Sequence, residues 1–394
     1  MPGSVIVAGA RTPIGKLSGA LGGFAATELG GFAIRAALER AGVAPDQVDY
    51  VFMGQVIQAG TGQISARQAA NNAGIPLSVP ATTVNKVCLS GLNAIYLADQ
   101  MINAGDAEIV VAGGMESMTQ APYLLPGARA GYRLGDGVLV DSMMFDGLTC
   151  AFDHCAMGLA TERYNEKVGV SRERQDAFSA ASHEKAAAAI KEGRLADEIV
   201  AVEVPQRKGD PIVVDTDEGV RPGTTAESLG SLRPAFDKAG TITAGNASQI
   251  SDGGAAVVVM SRAKADELGV TPLGELVSYG QVAGPETSLL HQPSQAILRA
   301  LSKIGAGVGD VDLFEINEAF AVVGLASADE LGIDESIINV NGGAVALGHP
   351  VGMSGARLAL TALYELGRRG GGTAAVALCG GGGQGDAAVL RTIA

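Results

Sequence analysis

Four side chains in this sequence have the types and settings to make or break bonds: Cys88, His349, Cys379 and Asn317. Cys88 sits in "NKVCLSG" (85–91), directly ahead of a stretch with helical spacing. A thiol there meets free backbone N–H groups and the positive end of a helix dipole, which would bring its pKa below about 8.5. His349 lies between Gly348 and Pro350 in "NGGAVALGHPVGMSGA", a turn ahead of a second helix, where an imidazole can take up a proton near neutral pH. Cys379 ends the strand-like run "AVALC" and is followed by four glycines, Gly381 among them. Strand ends are where α/β folds keep ligands, and glycine N–H groups can meet an oxyanion. Asn317, in "FEINEAF", follows an apolar run and can position water or donate to developing negative charge. Taken singly, each has a plainer reading: a small buried hydrophobe, a turn histidine, a strand cysteine, a helix-capping amide. "CAFDHC" gathers Cys150, His154 and Cys155, but structural zinc takes four ligands at suitable spacing, so neither a metal site nor a disulfide is expected there.

The elements that must position these groups come in two similar sets. "SGLNAIYLADQMINAG" from Ser90 echoes "SGARLALTALYELGRRG" from Ser354, and "VDYVFMG" from Val48 echoes "VDLFEIN" from Val311. "AIRAALERAGV" from Ala33 echoes "AILRALSKIGAGV" from Ala296, so three matches recur in order at nearly constant offset. Each set alternates Val/Ile-rich runs with helical stretches, the pattern of an α/β fold. In repeat register Gly352 answers to Cys88, so the His349 turn is the counterpart of the Cys88 loop. Duplicated halves pack about a pseudo-twofold axis, which would bring those loops together. In the first set, Leu92, Ile95, Tyr96, Asp99 and Ile102 mark a helix that Gly105 should stop.

Between the sets the chain changes character. "SRERQDAFSAASHEKAAAAIKEG" reads as a charged, Ala-rich surface helix capped by Ser171. Gly/Pro-punctuated stretches surround it and carry Arg207, Lys208, Arg221, Arg233 and Lys238. An insert of this kind reads as a binding subdomain. The expected units are 1–119 with 250–270, an insert at 120–249, and 271–394.

Composition bounds the function. The 394 residues are 47% hydrophobic and 18% charged, with 56 Gly and no Trp, which suits a compact α/β protein. A net charge of −14 argues against nucleic-acid or anionic-membrane partners, and no apolar run approaches transmembrane length. Four Cys are too few for a disulfide framework and fit a reducing cytosol, so a cytoplasmic protein is expected.

Taken together, "NKVCLSG", "NEAF", "NGGAVALGHPVGMSGAR" and "CGGGGQG" resemble the thiolase family, in order and from end to end. "VAGARTPIGK", "VAGGMESM" and "LRPAFDKAGTITAGNAS" add to the likeness. It implies a duplicated α-β-α-β-α core, each half a mixed five-stranded sheet between helices, with an inserted loop domain that holds coenzyme A. It also implies ping-pong chemistry in which two acetyl-CoA give acetoacetyl-CoA and CoA through an acyl-cysteine. By resemblance Cys88 is the nucleophile, His349 its base, and Cys379 the acid/base at the α-carbon. His349 with an Asn317-held water would form one oxyanion hole, and the N–H groups of Cys88 and Gly381 the other. Arg221, Ser228, Phe236, Ala244 and Ser248 would contact coenzyme A, with Leu148, Met157, Ala319 and Phe320 along the pantetheine arm. No metal or tightly bound cofactor is implied; acetyl-CoA, acetoacetyl-CoA and CoA are the partners, and a homodimer or homotetramer in fatty acid metabolism is expected. A degradative thiolase for longer or branched 3-ketoacyl chains is the alternative, and a non-catalytic acyl-CoA carrier a remote one. Two departures bear on chain length: Ala156 stands where relatives often have His, with His154 nearby, and "GPETSLLHQPSQAI" lacks a common Met-Gly pair.

Overall fold

The structure is a computed structural model and describes residues 3–393; residues 1, 2 and 394, at the ends of the expected units, lie outside it. The first half runs β1 (Ser4–Arg11), β2 (Gly15–Lys16), α1 (Ala26–Ala41), β3 (Tyr50–Gly54), α2 (Ser65–Asn72), β4 (Ala81–Val84), α3 (Ser90–Ala104) and β5 (Ile109–Ser117). Then come β6 (Tyr123–Leu124), β7 (Val140–Asp141), α4 (Met157–Val168), α5 (Arg172–Lys191), β8 (Val202–Val204), β9 (Ile212–Val214) and α6 (Ala226–Gly230). The chain returns with β10 (Ser251–Ser261) and α7 (Arg262–Leu268). It ends with β11 (Glu275–Ala283), α8 (Gln292–Lys303), β12 (Leu313–Ile316), α9 (Ala321–Leu331), α10 (Ala344–Leu347), α11 (Ser354–Arg368), β13 (Thr373–Gly380) and β14 (Gln384–Arg391).

The two sheets follow one plan. The first is ordered β1-β10-β5-β3-β4, with β2 also on β10, and the second β11-β14-β13-β12. In each, antiparallel pairs on one side give way to parallel pairs on the other. The second sheet differs from the five strands expected. Its fifth position is held by Ile338 alone, through a parallel bridge to Phe314, where β4 pairs along its length with β3. Residues 335–337 form a single 3₁₀ turn just before that bridge, which leaves no extended run to pair.

Helices α3 and α11 lie between the sheets. Leu92, Ile95, Ala98 and Ile102 of α3 share one buried cluster with Leu358 and Leu363 of α11, Val110 and Val257 of the first sheet, and Val376 and Leu378 of the second. The outer face of the first sheet is covered by α1 and α2, and that of the second by α8 and α9. Sheets covered on both faces explain the unbroken apolar strands, such as the fully buried β5. The α3 spacing holds: Leu92, Ile95, Asp99 and Ile102 are buried, Tyr96 stacks on Tyr279 at 4.2 Å, and Gly105 takes the left-handed C-cap. Helix α5, expected on the surface, buries a face instead. Phe178, Ala186 and Ala189 supply its apolar part, while Asp176, Ser182 and His183 are buried with partners from other segments. Ser171 caps it as expected, accepting the N–H of Arg174.

Helices α3 and α11 cross at Gly91 and Gly355. A Cβ on Gly91 would stand 2.8 Å from the Ala356 nitrogen, and one on Gly355 would strike the Leu92 backbone. The two contacts are mirror images in the repeat register, so the pseudo-twofold axis passes through this crossing. The loops entering both helices therefore face one another.

Candidate active site

The loop ahead of α3 is held by its own polar residues. Asn85 Oδ1 accepts the N–H of Val87, Ser90 Oγ accepts that of Lys86 and donates to the Val87 carbonyl, and Lys86 Nζ reaches Asp386 at 2.7 Å. Tyr279 donates to the same carboxylate at 2.8 Å, so the second half anchors a first-half loop. These contacts keep Val87 at φ 51°, a costly conformation for a β-branched residue, and turn Cys88 inward. The loop ahead of α11 supplies His349, whose N–H is bound by the carbonyl of Gln249 at 3.1 Å. Cys379 is the last residue but one of β13, and Gly381, Gly382 and Gly383 reverse the chain into β14, the last two at positive φ.

Cys88, His349, Cys379 and Gly381 line one cavity of about 60 Å³, with Leu148, Met157, Ser248, Leu289, Ala319 and Phe320 among its other walls. The same Leu148, Met157, Ser248, Ala319 and Phe320 line an adjoining cavity of about 500 Å³ that also takes in Ala156, Arg221, Phe236 and Ala244. The pair makes a tunnel with reactive groups at its inner end. A larger concavity, about 850 Å³, is lined by residues including Asp197, Tyr364, Arg368 and Arg391. No Cys, Ser or His lines it, and its guanidiniums are paired with Asp197, Glu365 and Glu275.

The hydrogen bonds fix the state of His349. Ser354 Oγ donates its hydrogen to the Pro350 carbonyl at 2.9 Å and so must accept from His349 Nδ1 at 2.6 Å. Nε2 then carries the lone pair, and Asn317 Nδ2 donates to it at 3.3 Å. Asn317 Oδ1 is buried without a protein partner, an acceptor suited to hold a water. Burial pushes the imidazole pKa down to about 3, with Arg357 adding repulsion. Burial pushes the Cys88 thiol up to about 12, opposed by N–H donors of Cys88 and Gly381 and raised further by Glu116. The lowered thiol pKa expected from the helix front is thus not found: desolvation outweighs the opposing pull of the N–H donors. Burial and the nearby Cys88 also raise the Cys379 thiol. Resting sulfur and imidazole are both neutral.

The structure brings together every expected site residue except one. Ser228 is exposed at the start of α6, where its N–H and hydroxyl both bond Thr225, and it does not line the tunnel. His154 is exposed and outside the tunnel too, so it does not replace the imidazole missing at Ala156. Three supporting residues were not singled out from the sequence. Ser354 sets the imidazole tautomer, Leu289 walls the reactive cavity, and buried Glu116 accepts the N–H groups of Val56 and Gly352 at 2.9 and 3.0 Å. Ser354 alone carried a local signal, five residues after His349 at a helix start.

Two like sheets around paired central helices, with two cysteines and a histidine at the junction, define a class of acyl-transfer fold. The patterns of the "Thiolase, N-terminal domain" and the "Thiolase, C-terminal domain" match residues 4–263 and 270–392, and the chain belongs to the thiolase family. A "Probable acetyl-CoA acetyltransferase" of Mycolicibacterium smegmatis is 59% identical over 387 residues, 98% of this chain and 100% of that protein. The "Acetyl-CoA acetyltransferase" of Cupriavidus necator is 53% identical over 98% of both chains. The crystal structure of the Bacillus anthracis acetyl-CoA acetyltransferase superposes with a TM-score of 0.97 at 40% identity, over 100% of this chain and 99% of that one. No helix among the described residues is long and apolar enough to cross a membrane, and among them no cluster of three or more His, Cys, Asp or Glu is placed to hold a metal.

Proposed function

We propose that the protein is an acetyl-CoA C-acetyltransferase, joining two acetyl-CoA reversibly into acetoacetyl-CoA and CoA. The observation that carries this reading is the convergence of Cys88, His349 and Cys379 on one small cavity at the end of a tunnel. Cys88 attacks the thioester carbonyl as His349 Nε2 takes its proton. With a thiol near 12 and an imidazole near 3, the proton moves only as the S–C bond forms. The N–H groups of Cys88 and Gly381, which act to lower the thiol pKa, are assigned to the oxygen of the acyl group carried on that sulfur. Exchange of one thioester for another is near balance, so acyl-Cys88 needs no outside energy. Cys379 gives its proton to the departing CoA sulfur and, as thiolate, removes the α-proton of a second acetyl-CoA; the enolate attacks the acyl carbon and expels the Cys88 sulfur, which recovers its proton from His349. Protonated His349 and an Asn317-held water bind the enolate oxygen.

Arg221, Phe236, Ala244 and Ser248 are assigned to coenzyme A, with Leu148, Met157, Ala319 and Phe320 along its arm, and the 120–249 insert to its loop domain. Gly158 has no side chain where Phe236 packs, and Phe236 meets Phe320 edge to face at 6.1 Å. Exposed Tyr123, Leu134, Val138 and Leu139 around the β6–β7 hairpin favour a homo-oligomer. The small cavity, about 60 Å³ with Leu289 in its wall, favours an acetyl over a longer acyl group.

Thiolysis of 3-ketoacyl-CoA substrates graded by length and 2-methyl branching tests the assignment. Acetoacetyl-CoA should be cleaved best; equal or faster cleavage of long chains would make this a degradative thiolase. Cys88→Ala should abolish acyl-enzyme formation, whereas Cys379→Ala should spare acylation and block condensation. Acylation surviving in the first variant would sink the mechanism.

A further inference from the structure

Cys150 and Cys155 have no role in the chemistry above, yet the chain holds them face to face. Both are free thiols, Cys150 buried and Cys155 partly exposed. Thr149 and Ala156 form an antiparallel bridge, with Cys150 N–H donating to the Cys155 carbonyl and Met157 N–H to that of Leu148, each at 2.9 Å. One step beyond the bridge, the two cysteines close the hairpin opposite one another, joined by that single ladder bond, while the Cys150 carbonyl accepts the N–H of His154 at 2.9 Å. Opposed residues of this kind have Cα atoms about 4.5–5.5 Å apart, inside the range of about 4.4–6.8 Å that a disulfide spans. His154, at φ 51°, closes the reversal, so the short loop 151–154 keeps the pair together. Cys155, within 3.7 Å of Arg163 Nη1, is the thiol a solute reaches first. Cys150 lies under the loop, donating to Asp153 Oδ2 at 3.5 Å and accepting the Asp153 N–H at 3.4 Å.

The hairpin touches the site from two sides. Its strands carry Leu148, Ala156 and Met157, which line the tunnel. Its tip rests on the glycine loop: a Cβ on Gly382 would stand 3.0 Å from the Phe152 ring, next to Gly381. Asp153 accepts the Thr287 hydroxyl, which also meets Tyr164, two positions before Leu289 of the reactive cavity.

We propose that Cys150 and Cys155 are a redox-active dithiol, closed to an intramolecular disulfide by a low-molecular-weight disulfide, and that closure slows catalysis by deforming the tunnel wall. Cys155, as thiolate, attacks one sulfur of the small disulfide and releases its partner thiolate. Cys150 then gives its proton to solvent and attacks the Cys155 sulfur, expelling the second small thiolate. Two protein thiols are oxidised and one disulfide is reduced to two thiols. Closure removes the Cys150 thiol hydrogen and with it the donation to Asp153, one of the contacts at the hairpin tip beside Thr287 and the glycine loop. The loss of rate rests on the coenzyme A assignment; formation of the disulfide does not.

Oxidised glutathione is the probe, applied to the full-length enzyme and followed by alkylation, trypsin and mass spectrometry. Both cysteines fall in residues 134–163, which no Lys or Arg interrupts before Arg163. That peptide should emerge lighter by two hydrogens and closed to iodoacetamide, while activity drops at least about threefold and dithiothreitol restores it. Cys155→Ser should keep the activity of the reduced enzyme and ignore glutathione disulfide. Should that variant not fold, phenylarsine oxide, which bridges paired thiols, should add once to the 134–163 peptide of the unaltered enzyme. Full alkylation of both cysteines, no arsenical bridge, or Cys88 joined to Cys379 as the sole linkage would overturn the dithiol. A closed disulfide with unchanged rate would overturn its coupling to the tunnel.

Discussion

Between Cys88 and His349 the proton rests on sulfur. A helix front and two N–H donors favour thiolate, as the sequence alone suggests, but the walls of a cavity of about 60 Å³ remove the water that would solvate it. The thiolate absorbance in the ultraviolet, taken as the difference between the protein and Cys88→Ser, should therefore be absent from about pH 6 to about pH 9. A thiolate signal at neutral pH would mean a standing ion pair and contradict this account. The types of residue proposed for the chemistry were legible in the motifs. Their protonation was not, because it depends on how many distant segments close over them.

At the scale of elements, the α3–α11 crossing decides whether the Cys88 and His349 loops meet. Gly355 has no room for a Cβ against the Leu92 backbone, whereas Gly367, near the end of the same helix, has open space around it. Gly355→Ala should destabilise the protein by about 1–3 kcal/mol through overpacking. Gly367→Ala should stabilise it by about 0.5–1 kcal/mol, since alanine suits a helix better. Denaturant unfolding of both variants measures the contrast, and equal effects would mean that the crossing is loose. The repeat made this helix pair visible in the sequence. It did not reveal the shortened fifth strand, because Ile338 looks as apolar as any strand residue and only the preceding 3₁₀ turn cuts the pairing short.

Over the whole molecule, buried ionisable groups place the stability optimum on the acid side of neutrality. His349 and His183 are held down to about 3 and about 4 by burial, so the unfolded chain binds their protons more readily. Their contribution is complete above about pH 6.5 and is lost as pH falls through the folded values. Glu116 and Glu315 are raised to about 7 and about 8, chiefly by burial, so here the folded state holds the proton. Their contribution is complete below about pH 4.5 and is lost as pH rises through the folded values. The four terms offset one another from about pH 4.5 to about pH 6.5, and stability should decline from there to about pH 8. Thermal melting across that range checks the decline, and Glu116→Gln should make it shallower; a midpoint that climbs toward pH 8 would reverse the assignment.

The sequence by itself determined the duplicated α/β plan, the cysteines and histidine of the site, and the turn glycines around them. Those features are local: apolar spacing sets helix and strand, and a residue type sets the chemistry it can do. Only the tertiary structure decided that Ser354 orients the imidazole, that Lys86 is anchored by Asp386 across the halves, that Ser228 stays outside the tunnel, and that the resting thiol is neutral. Each of these turns on which distant atoms share a buried space, and neither the strength of a charge nor the partner of a hydroxyl exists until the chain has closed around it.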